Sequence, residues 1–95
     1  MSTEPSVGRF DPERPYRCSP QVALRPESFG ALAYHFGTRR LSFLKSPLLA
    51  DVVRDLAAHE SVHAALDHRG VAGTERAAHV AALAQLAAAG TIEPR

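Results

Sequence analysis

The segment ALAYHFGTRRLSFLK, residues 31–45, constrains the fold of this 95-residue chain more than any other. Two runs, ALAYHF and RLSFLK, flank Gly37-Thr38, a pair suited to a two-residue hairpin turn in which Gly37 supplies a positive φ. If Phe36 faces Arg39 across that turn, Tyr34 faces Leu41 and Leu32 faces Phe43. Leu32, Tyr34, Leu41 and Phe43 then share one face, while Ala33, His35, Arg40 and Ser42 share the other. A slip of one residue would scatter the two sets, so turn and side-chain pattern specify the same register. Leu41 and Phe43, as large apolar groups, are expected in the core.

The flanking sequence extends this hairpin into an α+β unit. Upstream, QVALR reads as a short strand ended by Pro26, which makes a three-stranded antiparallel sheet. Downstream the periodicity becomes helical. Ser46 is suited to an N-cap with Pro47 at the first helical position, followed by Leu48, Leu49, Val52, Val53 and Leu56. Ser61 can cap a second helix closed by Gly70, and Thr74 a third that ends at Gly90. Residues 1–17 carry Pro5, Pro12 and Pro15 among charges without periodicity and are expected to form a mobile tail. Residues 18–95 are then the folded domain: three strands followed by three helices.

Several function classes are poorly served by this composition. A formal net charge of +1 is too small to imply nucleic acid or an anionic membrane. No apolar run approaches a membrane span, and the N-terminus lacks an apolar signal core. Cys18 is the single cysteine, which excludes an internal disulfide and suits a reducing cytoplasm. The sharpest catalytic motif is His59-Glu60-x-x-His63, the spelling of a zinc-hydrolase helix, in which both histidines would reach one metal and the glutamate would activate water. Ser61 opposes that reading, because serine favours a cap over a helix interior and would place His59 and His63 on different elements. No third ligand stands at a persuasive spacing. The chain is therefore expected to be neither an enzyme nor a metal or cofactor carrier.

Two binding readings remain. A strand-plus-three-helix order could be a winged helix-turn-helix that binds DNA. The third helix, TERAAHVAALAQLAAAG, however, offers only Arg76, His79 and Gln85 for phosphates and base edges. The other reading is peptide capture. The third strand of a meander is an edge, and an extended peptide can add to it. Arg39, Arg40 and Lys45 would equally serve to protect an ordinary edge from aggregation.

The segment PQVALRPESFGALAYHFGTRRLSFLKSP, with its distinctive core FGALAYHFGTRRLSFLKS, closely resembles the mycofactocin maturation chaperones. These belong to the RiPP recognition elements, which include the peptide chaperone of pyrroloquinoline quinone biosynthesis. The resemblance runs from about Pro20 to Pro47 and covers the helices by order and length. It implies a winged helix-turn-helix-like fold and a non-enzymatic protein that binds the leader of the mycofactocin precursor peptide by strand addition. It further implies presentation of that peptide to a radical SAM maturase carrying its own iron–sulfur clusters, with no cofactor in the chaperone. Carried onto this chain, the peptide-pairing strand is Arg40, Leu41, Ser42, Phe43, Leu44 and Lys45, with Arg39, Arg40 and Lys45 expected to meet acidic leader residues at the rim. Arg76, Val80 and Leu83 form the expected groove wall on the third helix, with Leu83 and Leu86 able to exchange roles. An exposed edge also leaves room for a homodimer.

Overall fold

The computed structural model describes residues 9–95. The expectation of a mobile tail over 1–8 lies outside the described residues. In chain order the elements are β1 (Tyr16–Cys18), β2 (Val22–Glu27), β3 (Gly30–His35), β4 (Leu41–Leu44), α1 (Pro47–Asp55), a 3₁₀ turn (Leu56–Ala58), α2 (Val62–His68), α3 (Gly73–Ala88) and β5 (Ile92–Pro94). The expected α+β order is present: an antiparallel sheet β2-β3-β4 and three helices. A second, two-stranded sheet joins β1 to β5 and was not anticipated. It draws residues 9–17 out of the expected tail. Tyr16 is buried, Phe10 packs on its ring at 5.1 Å, and the Asp11 amide donates to its hydroxyl at 3.1 Å. Strands of three residues are too short to show alternation in a sequence.

The hairpin register is the expected one, with Tyr34 opposite Leu41 and Leu32 opposite Phe43. The turn is not. His35 N–H donates to the Arg40 carbonyl at 2.9 Å and Arg39 N–H to the His35 carbonyl at 2.7 Å, so the loop holds four residues, 36–39. Arg39, with φ 63°, carries the positive dihedral in place of Gly37. The His35 imidazole makes this loop viable, since its Nδ1 accepts from both Gly37 and Thr38 N–H at 3.1 Å. A Cβ at Gly37 would meet the end of the flexible Gln21 side chain, which would have to swing aside.

β2 continues through Pro26, which pairs with Ala31, and so corrects the expectation that proline ends it. Hydrogen-bonded pairs alternate along an antiparallel ladder. Because His35 bonds to Arg40, Ala33 and Ala31 also direct their backbone groups toward β4, and Pro26 opposite Ala31 falls at a non-bonded site. Its missing N–H would have pointed away from the sheet.

Both expected serine caps are formed: Ser46 Oγ accepts from Leu49 N–H at 3.0 Å and Ser61 Oγ from Ala64 N–H at 2.9 Å. Each satisfies a donor left orphaned by a helix start and contributes about 1 kcal/mol. Thr74 is not a cap. α3 starts after Ala72 with no side-chain cap, and its first turn is anchored by Arg76. That guanidinium donates to the carbonyls of Val71 (2.7 Å) and His63 (3.1 Å) and pairs with Asp67 at 3.0 Å. The end of α1 is tied to the end of α2 by Arg69, whose Nε donates to Asp55 at 3.1 Å and holds that carboxyl below its usual range.

The core lies on one face of the three-stranded sheet. Ala31, Ala33 and Leu44 are buried there with Leu49, Val52, Val53, Leu56, Val62, Leu66 and Leu83 from the helices. The opposite face is not covered by any of the described residues, and it carries the large side chains: Tyr34, Leu41 and Phe43 are exposed. The core expectation for Leu41 and Phe43 is thus reversed. The register is right, but the helices pack against the face with the small alanines.

Candidate functional site

β4 is one edge of its sheet. By the same alternation, Arg40, Ser42 and Leu44 direct N–H and C=O toward β3, leaving those of Leu41 and Phe43 facing outward. Beside this open edge runs α3, and the space between them is a groove. Its central hollow, about 450 Å³, is lined by Ser42, Phe43 and Lys45 on one side and Ala82, Gln85 and Leu86 on the other, with Leu49 also in the wall. Arg40 and Leu41 continue it toward Ala88 and Ala89, while Lys45 and Ser46 continue it toward Ala78 and His79.

Most of the groove is apolar, with polar groups at defined places. Ser42 Oγ lies 3.4 Å from Thr91 Oγ1, which links β4 to the chain just after α3. His79 Nδ1 sits 2.9 Å from the Glu75 carbonyl and must donate to it, because a carbonyl only accepts. Its Nε2 is buried without a hydrogen-bond partner among the described residues. In the neutral ring that nitrogen is an acceptor at one end of the groove. Arg39, Arg40 and Lys45 make no ion pair among the described residues.

Of the residues singled out from sequence, Arg40, Leu41, Ser42, Phe43 and Lys45 border the groove, and Arg39 precedes them in the turn. Leu44 points into the core and is fully buried. Arg76, Val80 and Leu83 do not line it. Leu83 is in the core, Val80 packs against the core, and Arg76 is occupied at the α2 junction. The groove is bordered instead by Ala78, Ala82, Gln85, Leu86 and Ala89, with Leu86, like Leu83, buried in the core. The missed signal is small size. Alanine at 78, 82 and 89 leaves a shallow wall that another chain can approach closely.

The zinc-like motif is divided as Ser61 required. His59 has an extended backbone (φ −123°, ψ 152°) after the 3₁₀ turn, whereas His63 is inside α2 with Nδ1 3.2 Å from the Arg76 guanidinium. The two imidazoles do not share one helical face. Burial, reinforced by nearby Glu93, pushes the Cys18 thiol up, away from the thiolate a nucleophile needs.

A small α+β domain whose apolar groove lies along an open strand edge has the build of a binding module. The match to the peptide chaperone MftB family spans residues 15–93, and this chain belongs to that family. It is 50% identical over 89 residues to peptide chaperone MftB of Mycobacterium ulcerans, covering 94% of this chain and 82% of that protein. The proteins of the same name from Mycobacterium tuberculosis and Mycolicibacterium smegmatis are 46% and 47% identical, over 90% of this chain and 79% and 83% of theirs. No solved structure matches it significantly. The chain is a peptide chaperone and not an enzyme.

Proposed function

We propose that this chaperone captures the leader of the mycofactocin precursor peptide as a fourth strand on β4 and presents it, in the cytoplasm, to the radical SAM maturase that modifies it. The observation that carries this reading is the asymmetry of the two sheet edges. β2 carries Pro26, which has no N–H to offer at its outer edge, whereas β4 offers the outward backbone of Leu41 and Phe43 next to the α3 groove. An added strand gains backbone hydrogen bonds, and its alternate side chains enter the groove. The sheet-and-helix order is compatible with a winged helix-turn-helix in which the groove replaces nucleic acid as the binding feature.

In this scheme each group has a task. Leu41 and Phe43 supply backbone donors and acceptors; Ala82, Leu86 and Leu49 bury apolar leader residues. Arg39, Arg40 and Lys45 attract acidic ones and fix the register. The chaperone changes no bond. It raises the concentration and fixes the orientation of the reactive peptide end near the maturase. The test is calorimetric titration of the metal-free protein with the leader and core halves of the precursor separately. Saturable binding to the leader half, unchanged by chelator, is expected. Binding to neither half would refute the assignment.

A further inference from the structure

Groove and edge leave one large feature unused. The sheet face turned away from the helices carries Phe29, Tyr34, Phe36, Leu41 and Phe43, each between 37% and 58% exposed. They form a packed surface: Phe29 stacks on Phe43 with centroids 5.9 Å apart, and Tyr34 meets Phe36 edge-on at 5.5 Å. Taking ~200 Å² for a whole large apolar side chain, the exposed apolar area is on the order of 500 Å², within the range of the largest patch on a monomer, which is often functional.

We propose that this face docks the enzyme that modifies the captured peptide, through an apolar surface on that enzyme bordered by carboxylates. The inference rests on the capture reading above. The charge around the face argues for the occupant. Arg25 lies within it, opposite Leu32 in the ladder, and Arg39 and Lys45 flank β4 at its two ends. Glu27, the one carboxylate on β2 and β3, offsets Arg25 at 2.9 Å, so the uncompensated charge around the face is that of Arg39 and Lys45. A second copy stacked on this face would oppose cation to cation, which disfavours self-association. A partner with aspartates or glutamates around an apolar centre is complementary in both respects. The position suits presentation too. Side chains of Leu41 and Phe43 point to this face, so a peptide strand added to β4 would continue it with its own alternate residues. The enzyme would then contact chaperone and peptide on one continuous surface.

The test uses Tyr34→Ser combined with Phe36→Ser, exposed changes away from the open edge, and separately Arg25→Glu, whose side chain is three-quarters exposed. Folding is checked by circular dichroism, leader affinity by calorimetry, and affinity for the purified maturase without peptide by the same method. Expected are leader affinity within about twofold of wild type and maturase affinity weakened by at least about tenfold, as for loss of central aromatic anchors. Arg25→Glu is expected to weaken docking by about threefold or more at low salt, with the difference fading at high salt. Unchanged maturase affinity in both variants overturns the proposal and leaves leader capture standing. Dissociation of a wild-type dimer by the serine changes, with maturase binding intact, also overturns it, because the face would then join two copies. If wild-type protein docks the maturase through these residues yet binds no leader, the capture reading fails alone.

Discussion

Gly30 and His79 show how single residues set the groove. Gly30 opens β3 with φ 150°, and a Cβ there would meet the Leu44 carbonyl and come within 2.8 Å of the Ser46 carbonyl. Both acceptors are backbone at the junction of β4 with α1, so neither can swing aside. Gly30→Ala is expected to cost about 2–4 kcal/mol from strain and overlap, lowering the thermal midpoint by on the order of 10 °C. An unchanged melting curve would disprove this. His79 presents the reverse case, a side chain whose Nε2 is buried without a hydrogen-bond partner among the described residues. A leader donor that reaches it would satisfy a buried acceptor. His79→Leu is therefore expected to keep or raise the melting temperature while weakening leader binding roughly threefold to tenfold. Equal leader affinity in calorimetry would show that the peptide leaves this nitrogen alone.

Among the elements, β4 has two chemically different sets of positions. Leu41 and Phe43 face the open edge with their backbone, while Ser42 and Leu44 are bonded into the ladder. Leu41→Pro removes only an outward N–H from an edge strand, a site that tolerates proline. Its predicted signature is a near-native melt with leader binding weakened by at least about tenfold, against a milder loss for Leu41→Ala. Ser42→Pro breaks a ladder bond and is expected to unfold the hairpin. If proline at 41 and at 43 both spare leader binding, the peptide does not add to this edge. The alternation behind this prediction was legible in sequence, because one register alone collects Leu32, Tyr34, Leu41 and Phe43 on a common face. Which face the helices would cover was not. Residue size favours burying the aromatic face, but α1 packs over Ala31 and Ala33, where small side chains allow close approach. The orientation of α3 was similarly hidden. Its run of alanines is apolar all round, so Leu83 and Leu86, three apart and both buried, could not be assigned to core or groove from spacing.

For the whole molecule, a sheet that the described residues cover on only one side leaves little core, and β1 and β5 supply part of it. β1 and β5 close as a clasp: Cys18 pairs with Ile92, Arg17 bonds to Glu93 at 2.9 Å through Nε, and Tyr16 and Ile92 are buried. The residue just before β5 also ties to the groove. Thr91, between α3 and β5, accepts from Ser19 N–H at 2.9 Å, donates to the Leu86 carbonyl at 2.9 Å and approaches Ser42 on β4. The C-terminal end of α3 is thereby fixed at a set distance from the edge strand. Ile92 itself lines no part of the groove and makes none of the Thr91 hydrogen bonds, so removing its side chain should lower stability while leaving the peptide's own contacts in place. Ile92→Ala is expected to cost about 2–4 kcal/mol, a fall in thermal midpoint on the order of 10 °C or more for a domain of this size. Leader affinity, measured well below that midpoint, should stay within about twofold of wild type. A melt within a degree or two of wild type would mean that the clasp is not seated through Ile92. A normal melt for the folded fraction with lost leader binding would mean that β5 itself touches the peptide, and the site would have to be redrawn around the chain ends.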